Sequence, residues 1–345
     1  MGRVWSCSGL RWSGDGPVLV WGGGRGSALA WGQRVAFGVA EGGRRTCVGA
    51  RGHVCPLGAA VAGRSSGARC EECARLERAH SVAADTIADD PRPYHVYLAW
   101  FGPGMVKVGI TGVERGSARL LEQGAITFSW LGRGPLMAAR RAEELLRAAL
   151  RVPDRIPYAE KRAVRAALPG VGGAGGLGVG GAGGVGVGRA RELEVGGPEE
   201  LGGGGVRESG VGGVGDAGVG ARVVEIAELH ARAGLLDGWP ESLERAPFQA
   251  VDHTEVFGLA GLAPADGVVS ELIAGGVVSG ELLAAAGPDL HLATGLGVVV
   301  LDTRLLPGWE LTAVTAADGD GRVTVPVRES RSGAGSAGGV QDGLF

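Results

Sequence analysis

Tyr94-His95-Val96-Tyr97-Leu98-Ala99-Trp100-Phe101-Gly102-Pro103-Gly104-Met105-Val106-Lys107-Val108-Gly109-Ile110-Thr111 decides how this chain is read. Val96 and Leu98 alternate with Tyr97 and Ala99, and Val106, Val108 and Ile110 repeat the same period of two. That period belongs to strands, whose successive side chains point to opposite faces. Gly102-Pro103-Gly104 is turn chemistry. The stretch therefore predicts two short strands around a tight turn.

Downstream, residues 117–123 predict a short helix and 126–130 a third strand. Residues 136–150 predict a clear helix, with Leu and Ala recurring at helical spacing and charges on the other face. A further helix is expected over 158–168. Residues 90–168 thus form one expected unit of order β-β-α-β-α-α.

Upstream lie Cys47, Cys55, Cys70 and Cys73, spaced Cys-x7-Cys-x14-Cys-x2-Cys. A Cys-x2-Cys pair presents two thiolates from one turn, and a second pair can complete a tetrahedron around zinc. Metal would also hold together a segment with little core of its own. The competing reading is four buried thiols without a ligand. His53 could replace one sulfur, His80 is a weaker candidate, and Cys7 stands alone. A redox role for Cys70 and Cys73 is disfavoured by Glu71-Glu72 between them, because negative neighbours raise thiol pKa values.

The remaining chain divides by composition. Residues 1–45 predict a small β region, with strands at 17–21 and 34–39, and 46–89 form the cysteine segment with a helical tail over 73–79. Residues 169–220 are roughly half glycine, a composition expected of a flexible linker. Residues 221–328 predict a small, mostly β unit, opening on a strand or helix at 223–233. Residues 329–345 predict a disordered tail. The whole is an α/β (α+β) chain of several units.

The 345 residues carry a formal net charge of −3, so nucleic-acid binding would need a local basic patch rather than a global field. Residues 1–31 lack the continuous apolar core of a secretory signal, and no apolar run is long enough to span a membrane. The expected setting is the cytoplasm. The glycine-rich stretch lacks the Gly-Lys-Ser/Thr of a phosphate-binding loop.

Cys70-x2-Cys73, His95-Val96-Tyr97-Leu98, Lys107-Val108-Gly109-Ile110-Thr111 and 118–125 (Ala-Arg-Leu-Leu-Glu-Gln-Gly-Ala) resemble the bacterial domain-of-unknown-function 2797 family in its actinobacterial form. The resemblance covers about residues 1–168 and, more weakly, 221–327. The central unit also resembles the GIY-YIG nuclease superfamily. That second resemblance implies a phosphodiesterase site in which 95–97 and 107–109 stand for the two family triplets. Arg119 matches the phosphate-facing arginine and Glu143 the metal-binding glutamate, which implies Mg²⁺ or Mn²⁺. His95 replaces a glycine, Lys107 a tyrosine, and the family's late asparagine has no counterpart because the chain contains none.

The candidate catalytic residues are therefore Tyr97, Lys107, Arg119 and Glu143, and the candidate zinc ligands Cys47, Cys55, Cys70 and Cys73. DNA or RNA is the expected partner. The alternative is a non-catalytic adaptor whose zinc module and β unit bind a protein. Asp289, His291 and Asp302 could meet at a metal, although turn and loop roles suit them better.

Overall fold

The strand over Pro93–Gly102 lies inside one sheet, paired along both edges, and its two faces are packed against different parts of the molecule. The structure is a computed structural model that describes residues 4–13, 16–79, 90, 92–166, 168, 191–193, 216–314 and 321–330. The glycine-rich stretch expected over 169–220 lies outside these residues except for 191–193 and 216–220. The tail beyond Ser330 lies outside them too.

The first half of the chain contributes β1 (Val4–Trp5), β2 (Cys7–Ser13), β3 (Gly16–Trp21), β4 (Gly26–Ala28) and β5 (Arg34–Val39). Then follow α1 (Glu71–Ala79), β6 (Pro93–Gly102), β7 (Met105–Gly112), α2 (Ala118–Gln123), β8 (Thr127–Pro135), α3 (Leu136–Leu150) and α4 (Tyr158–Ala166). The β-β-α-β-α-α order from β6 to α4 is the order expected from the sequence. The second half contributes β9 (Arg191–Leu193), α5 (Asp216–Gly234), β10 (Glu244–Arg245), β11 (Ala250–Asp252), β12 (Gly267–Val269) and β13 (Val277–Ala286). It ends with β14 (Asp289–Thr294), β15 (Gly297–Asp302), β16 (Leu311–Thr312) and β17 (Val327–Glu329).

These strands build three sheets. β7-β6-β8-β11-β9 form the first, with β10 also on β8. β1-β16-β5-β13-β14-β15-β12-β17 form the second, and β2-β3-β4 the third. In the second sheet β5 pairs with β13 from Val277↔Gly38 to Glu281↔Arg34. The segments expected as an N-terminal β region and a C-terminal β unit thus share one sheet.

β6 is amphipathic in a particular sense: both faces are buried, but against different partners. Val96, Leu98 and Trp100 join the main core with Leu146 of α3 and Ile226 of α5. Tyr97, Ala99 and Phe101 form a second cluster with Leu120, Ala125 and Phe128. α3 forms because Ala139, Ala142 and Leu146 recur every three to four residues and reach the core. It begins after Pro135 and stops at Arg151, which takes a left-handed conformation. Burying a leucine such as Leu146 contributes about 1.5–3 kcal/mol. α5 locks the hairpin turn: Glu225 accepts from the Trp100 indole at 2.7 Å and from the Gly104 amide at 3.0 Å. Among the described residues, no helix is long and apolar enough to cross a membrane.

Candidate metal centre and anion cleft

The four cysteines converge. The Sγ atoms of Cys47, Cys55, Cys70 and Cys73 all lie within 4.8 Å of one another. Cys55 and Cys70 are 3.9 Å apart, and tetrahedral zinc with bonds of about 2.3 Å holds its sulfurs about 3.8 Å apart. The Gly49 and Cys70 amides point at the Cys47 sulfur, at 3.4 and 3.2 Å. Such donors stabilise a thiolate. Gly49 has φ +80°, and a Cβ there would run into the His53 carbonyl, so the ligand loop closes only around glycine. The set could therefore hold a metal such as zinc. His53 is exposed and outside the set. Cys7 is also outside it; burial pushes its thiol up to about 11. His80 lies outside the described residues.

Arg45 anchors this segment. Its guanidinium is buried and donates to four carbonyls, those of Ala62, Ser65, Arg304 and Pro307, at 2.6–3.0 Å. The cysteine loops are tied in this way to the turn that follows β15.

The second constellation lies on the Tyr97 face of β6. Tyr97 pairs across the hairpin with Gly109, and any Cβ at 109 would collide with the tyrosine ring. The glycine of Lys-Val-Gly is therefore required by the tyrosine of His-Val-Tyr. The Tyr97 hydroxyl accepts from the Gln123 amide at 3.0 Å, and burial pushes its pKa up. Lys107 lies beside it, with Nζ 5.8 Å from the Tyr97 ring centre and donating to the Asp154 carbonyl at 3.0 Å. Burial lowers the Lys107 ammonium to about 8, helped by the positive Arg119 and opposed by Glu143 and Asp154.

Glu143, on α3, is pushed up by burial and held down by Lys107. Arg119, on α2, is half-exposed; its nearest carboxylate, Glu122, is 3.9 Å away and already bound by Arg115 at 2.7 Å. Tyr97, Lys107, Arg119 and Glu143 are thus brought within electrostatic reach of one another. Glu143 joins no second carboxylate in a metal-holding cluster among the described residues. His95 stacks on Trp130 at 4.4 Å, and burial lowers its pKa.

α4 closes the cleft from the side of the eight-stranded sheet. Arg162 bridges Asp289 and Asp302, and Arg165 reaches Asp289 at 3.3 Å. Arg304 reaches Asp302 at 2.6 Å, and the Tyr158 hydroxyl donates to the Ala286 carbonyl at 2.7 Å. Asp289 and Asp302 do meet, but around arginines. His291 lies beside them, buried and lowered to about 3. Gly124, in left-handed conformation after α2, gives Arg165 room to pass.

This anchoring places Lys161 of α4 where sequence reading did not single it out. Lys161 is 5% exposed, and its Nζ sits 3.7 Å over the Phe101 ring. Burial, with the positive Lys107, Arg165, Arg119 and Arg304 adding to it, lowers it to about 7. A signal was available: the chain has 34 lysines and arginines, and only Lys107 and Lys161 are lysines.

Fold and site together define an α+β protein with a four-cysteine centre and a separate group of cationic side chains around the β6–β7 hairpin. Residues 32–170, which carry both, match the family described as "Protein of unknown function (DUF2797)". No curated protein and no solved structure matches the chain.

Proposed function

We propose that this is a zinc-containing nucleic-acid-binding protein whose central cleft hydrolyses phosphodiesters. The observation that carries the reading is that Tyr97, Lys107, Arg119 and Glu143, from four different elements, lie within electrostatic reach of one another, near a lysine without an acidic partner among the described residues. The hairpin and the Arg119 helix are also the parts that resemble GIY-YIG nucleases.

Each residue has a role its environment suits. Arg119 is exposed and loosely paired, so its planar fork is free to clamp phosphate oxygens. Lys107 is lowered toward neutrality and supplies some free amine as a base. One of its N–H groups is held by the Asp154 carbonyl. It takes a proton from water, the water oxygen bonds to phosphorus, the bond to the leaving oxygen breaks, and that oxygen is protonated from solvent. Tyr97 is raised, so it keeps its proton and orients rather than deprotonates. Glu143 would be the carboxylate to hold Mg²⁺ or Mn²⁺, which would neutralise charge on the phosphoryl oxygens. The cysteine set would hold structural zinc.

The test is incubation of the full chain with single- and double-stranded DNA and RNA, with Mg²⁺ or Mn²⁺. Cleavage is expected, with losses of about 100-fold or more in Lys107→Met and Arg119→Ala. No cleavage of any substrate removes the hydrolase; no binding at low salt removes the nucleic-acid reading as well. The adaptor alternative is favoured by one feature, the exposure of Val54 (87%) and Leu57 (73%) on the cysteine segment. It predicts no oligonucleotide binding.

A further inference from the structure

Lys161 is a buried cation among cations. Its ammonium touches an aromatic face, and no carboxylate partners it among the described residues. The nearby Arg165 and Arg304 are bound to Asp289 and Asp302, so their charges are already compensated. Lys107 donates to a neutral carbonyl, and Arg119 keeps only a 3.9 Å ion pair. An uncompensated buried cation is costly and tends to lose its proton, and an anionic ligand would keep it charged by supplying the counter-charge.

The choice of residue type points the same way. Arginine fills nearly every basic position of this chain, yet lysine stands at both positions inside the cleft. A slim ammonium fits over the Phe101 ring as a point charge, where a planar guanidinium would need a wider slot. α4 is fixed by Arg162, Arg165 and Tyr158 to the eight-stranded sheet, so Lys161 is held in place by a part of the fold remote in sequence.

We propose that Lys161 is the floor of an oxyanion pocket, with Arg119 at its rim, which takes the charged oxygens of a phosphoryl group carried by a nucleic acid. The proposal rests on the nucleic-acid reading of the same cleft and adds the residue that grips the anion from below. The phosphoryl group belongs either to an internal phosphodiester or to a terminal phosphate. Both present two or more charged oxygens to the pocket.

Two lysines make the experiment clean. Full-length protein labelled at lysine Cε gives two side-chain NMR signals, assigned with Lys161→Met, which keeps the length and the packing on Phe101. Inorganic phosphate is titrated first, then a short oligonucleotide with and without a 5′-phosphate. The Lys161 signal is expected to shift saturably with phosphate. A shift with the 5′-phosphorylated strand alone identifies a terminal phosphate, and a shift with both strands an internal one. Lys161→Met, with its fold checked by circular dichroism, is expected to bind phosphate about 10- to 100-fold more weakly.

A Lys161 signal unmoved by all three ligands overturns the proposal, and so does wild-type phosphate affinity in Lys161→Met. The wild-type titration decides the matter even if the variant does not fold. If Lys161 is silent while Arg119→Ala still loses oligonucleotide affinity, the pocket floor is wrong and the cleft reading survives. If Arg119→Ala also binds like wild type, the cleft reading itself fails.

Discussion

The cysteine centre and the cleft are opposite solutions to gathering like groups. In the first, four sulfurs that favour a cation converge within 4.8 Å. In the second, Lys107, Arg119 and Lys161 lie within electrostatic reach of one another. The sulfurs come from one segment of 27 residues, Cys47 to Cys73, whereas the cations come from three elements joined only by the fold. A centre made of one rare residue type at short spacing announces itself in sequence. A centre made of common residue types, assembled by helix docking, does not.

Removing the metal should produce the largest effect on this comparison. Structural zinc in small modules binds with about 10–16 kcal/mol, and the cysteine segment packs few apolar side chains of its own. Elemental analysis should find one zinc per chain. A chelator should abolish protection of the amides of residues 46–79 in hydrogen exchange while those of β6 stay protected. Loss of protection in both regions at once would mean that the two centres are not separable units.

Arg45→Met comes next. It strips four buried carbonyls of their donor and should lower stability on the order of 3 kcal/mol in urea unfolding. A change of a few tenths would show that Arg45 does not anchor the cysteine loops. Gly109→Ala tests the cleft in the same currency. The new methyl would push the Tyr97 ring, for a cost of about 1–3 kcal/mol. Tyr97→Ala in the same chain should recover part of that cost by vacating the space. An additive double variant would contradict the Tyr97–Gly109 contact.

The smallest effect expected is pH-dependent. Lys107 and Lys161 move from 10.5 in the unfolded chain to about 8 and about 7 in the fold. Between those values the unfolded chain binds more protons, so their contribution makes ligand-free stability rise with pH from about 7 to about 10.5. Phosphodiester binding runs the other way, because the anion needs the Lys161 ammonium charged. The groups facing them are Arg119, Arg165, Arg304, Glu143 and Asp154. Oligonucleotide affinity should therefore fall about tenfold between pH 6 and 9. A flat profile would show that Lys161 does not meet the phosphate.

Much of the fold could be read from local pattern. The hairpin, the helix over 136–150 and the cysteine set all carry short-range signals of period or spacing. The pairing of β5 with β13 carries none, since 239 residues separate Val277 from Gly38 and only the closed sheet joins them. β14 was passed over because Asp289 and His291 interrupt its apolar run. Both are buried, beside the arginines of α4. The residues expected at 223–233 as strand or helix are helix, which begins at Asp216, inside the stretch read as linker. In the cleft, Tyr97, Lys107, Arg119 and Glu143 were named through a family resemblance. Lys161 is set apart in sequence only by being a lysine in an arginine-rich chain, and its burial is visible only in the fold.

The most direct measurement is the salt dependence of binding between the full chain and a labelled single-stranded oligonucleotide, for wild type and Arg119→Ala. The account predicts binding at about 50 mM salt that weakens linearly in log–log form, with the slope reduced by about 0.7 in the variant. Absence of binding at that salt, or identical slopes for the two proteins, would contradict it.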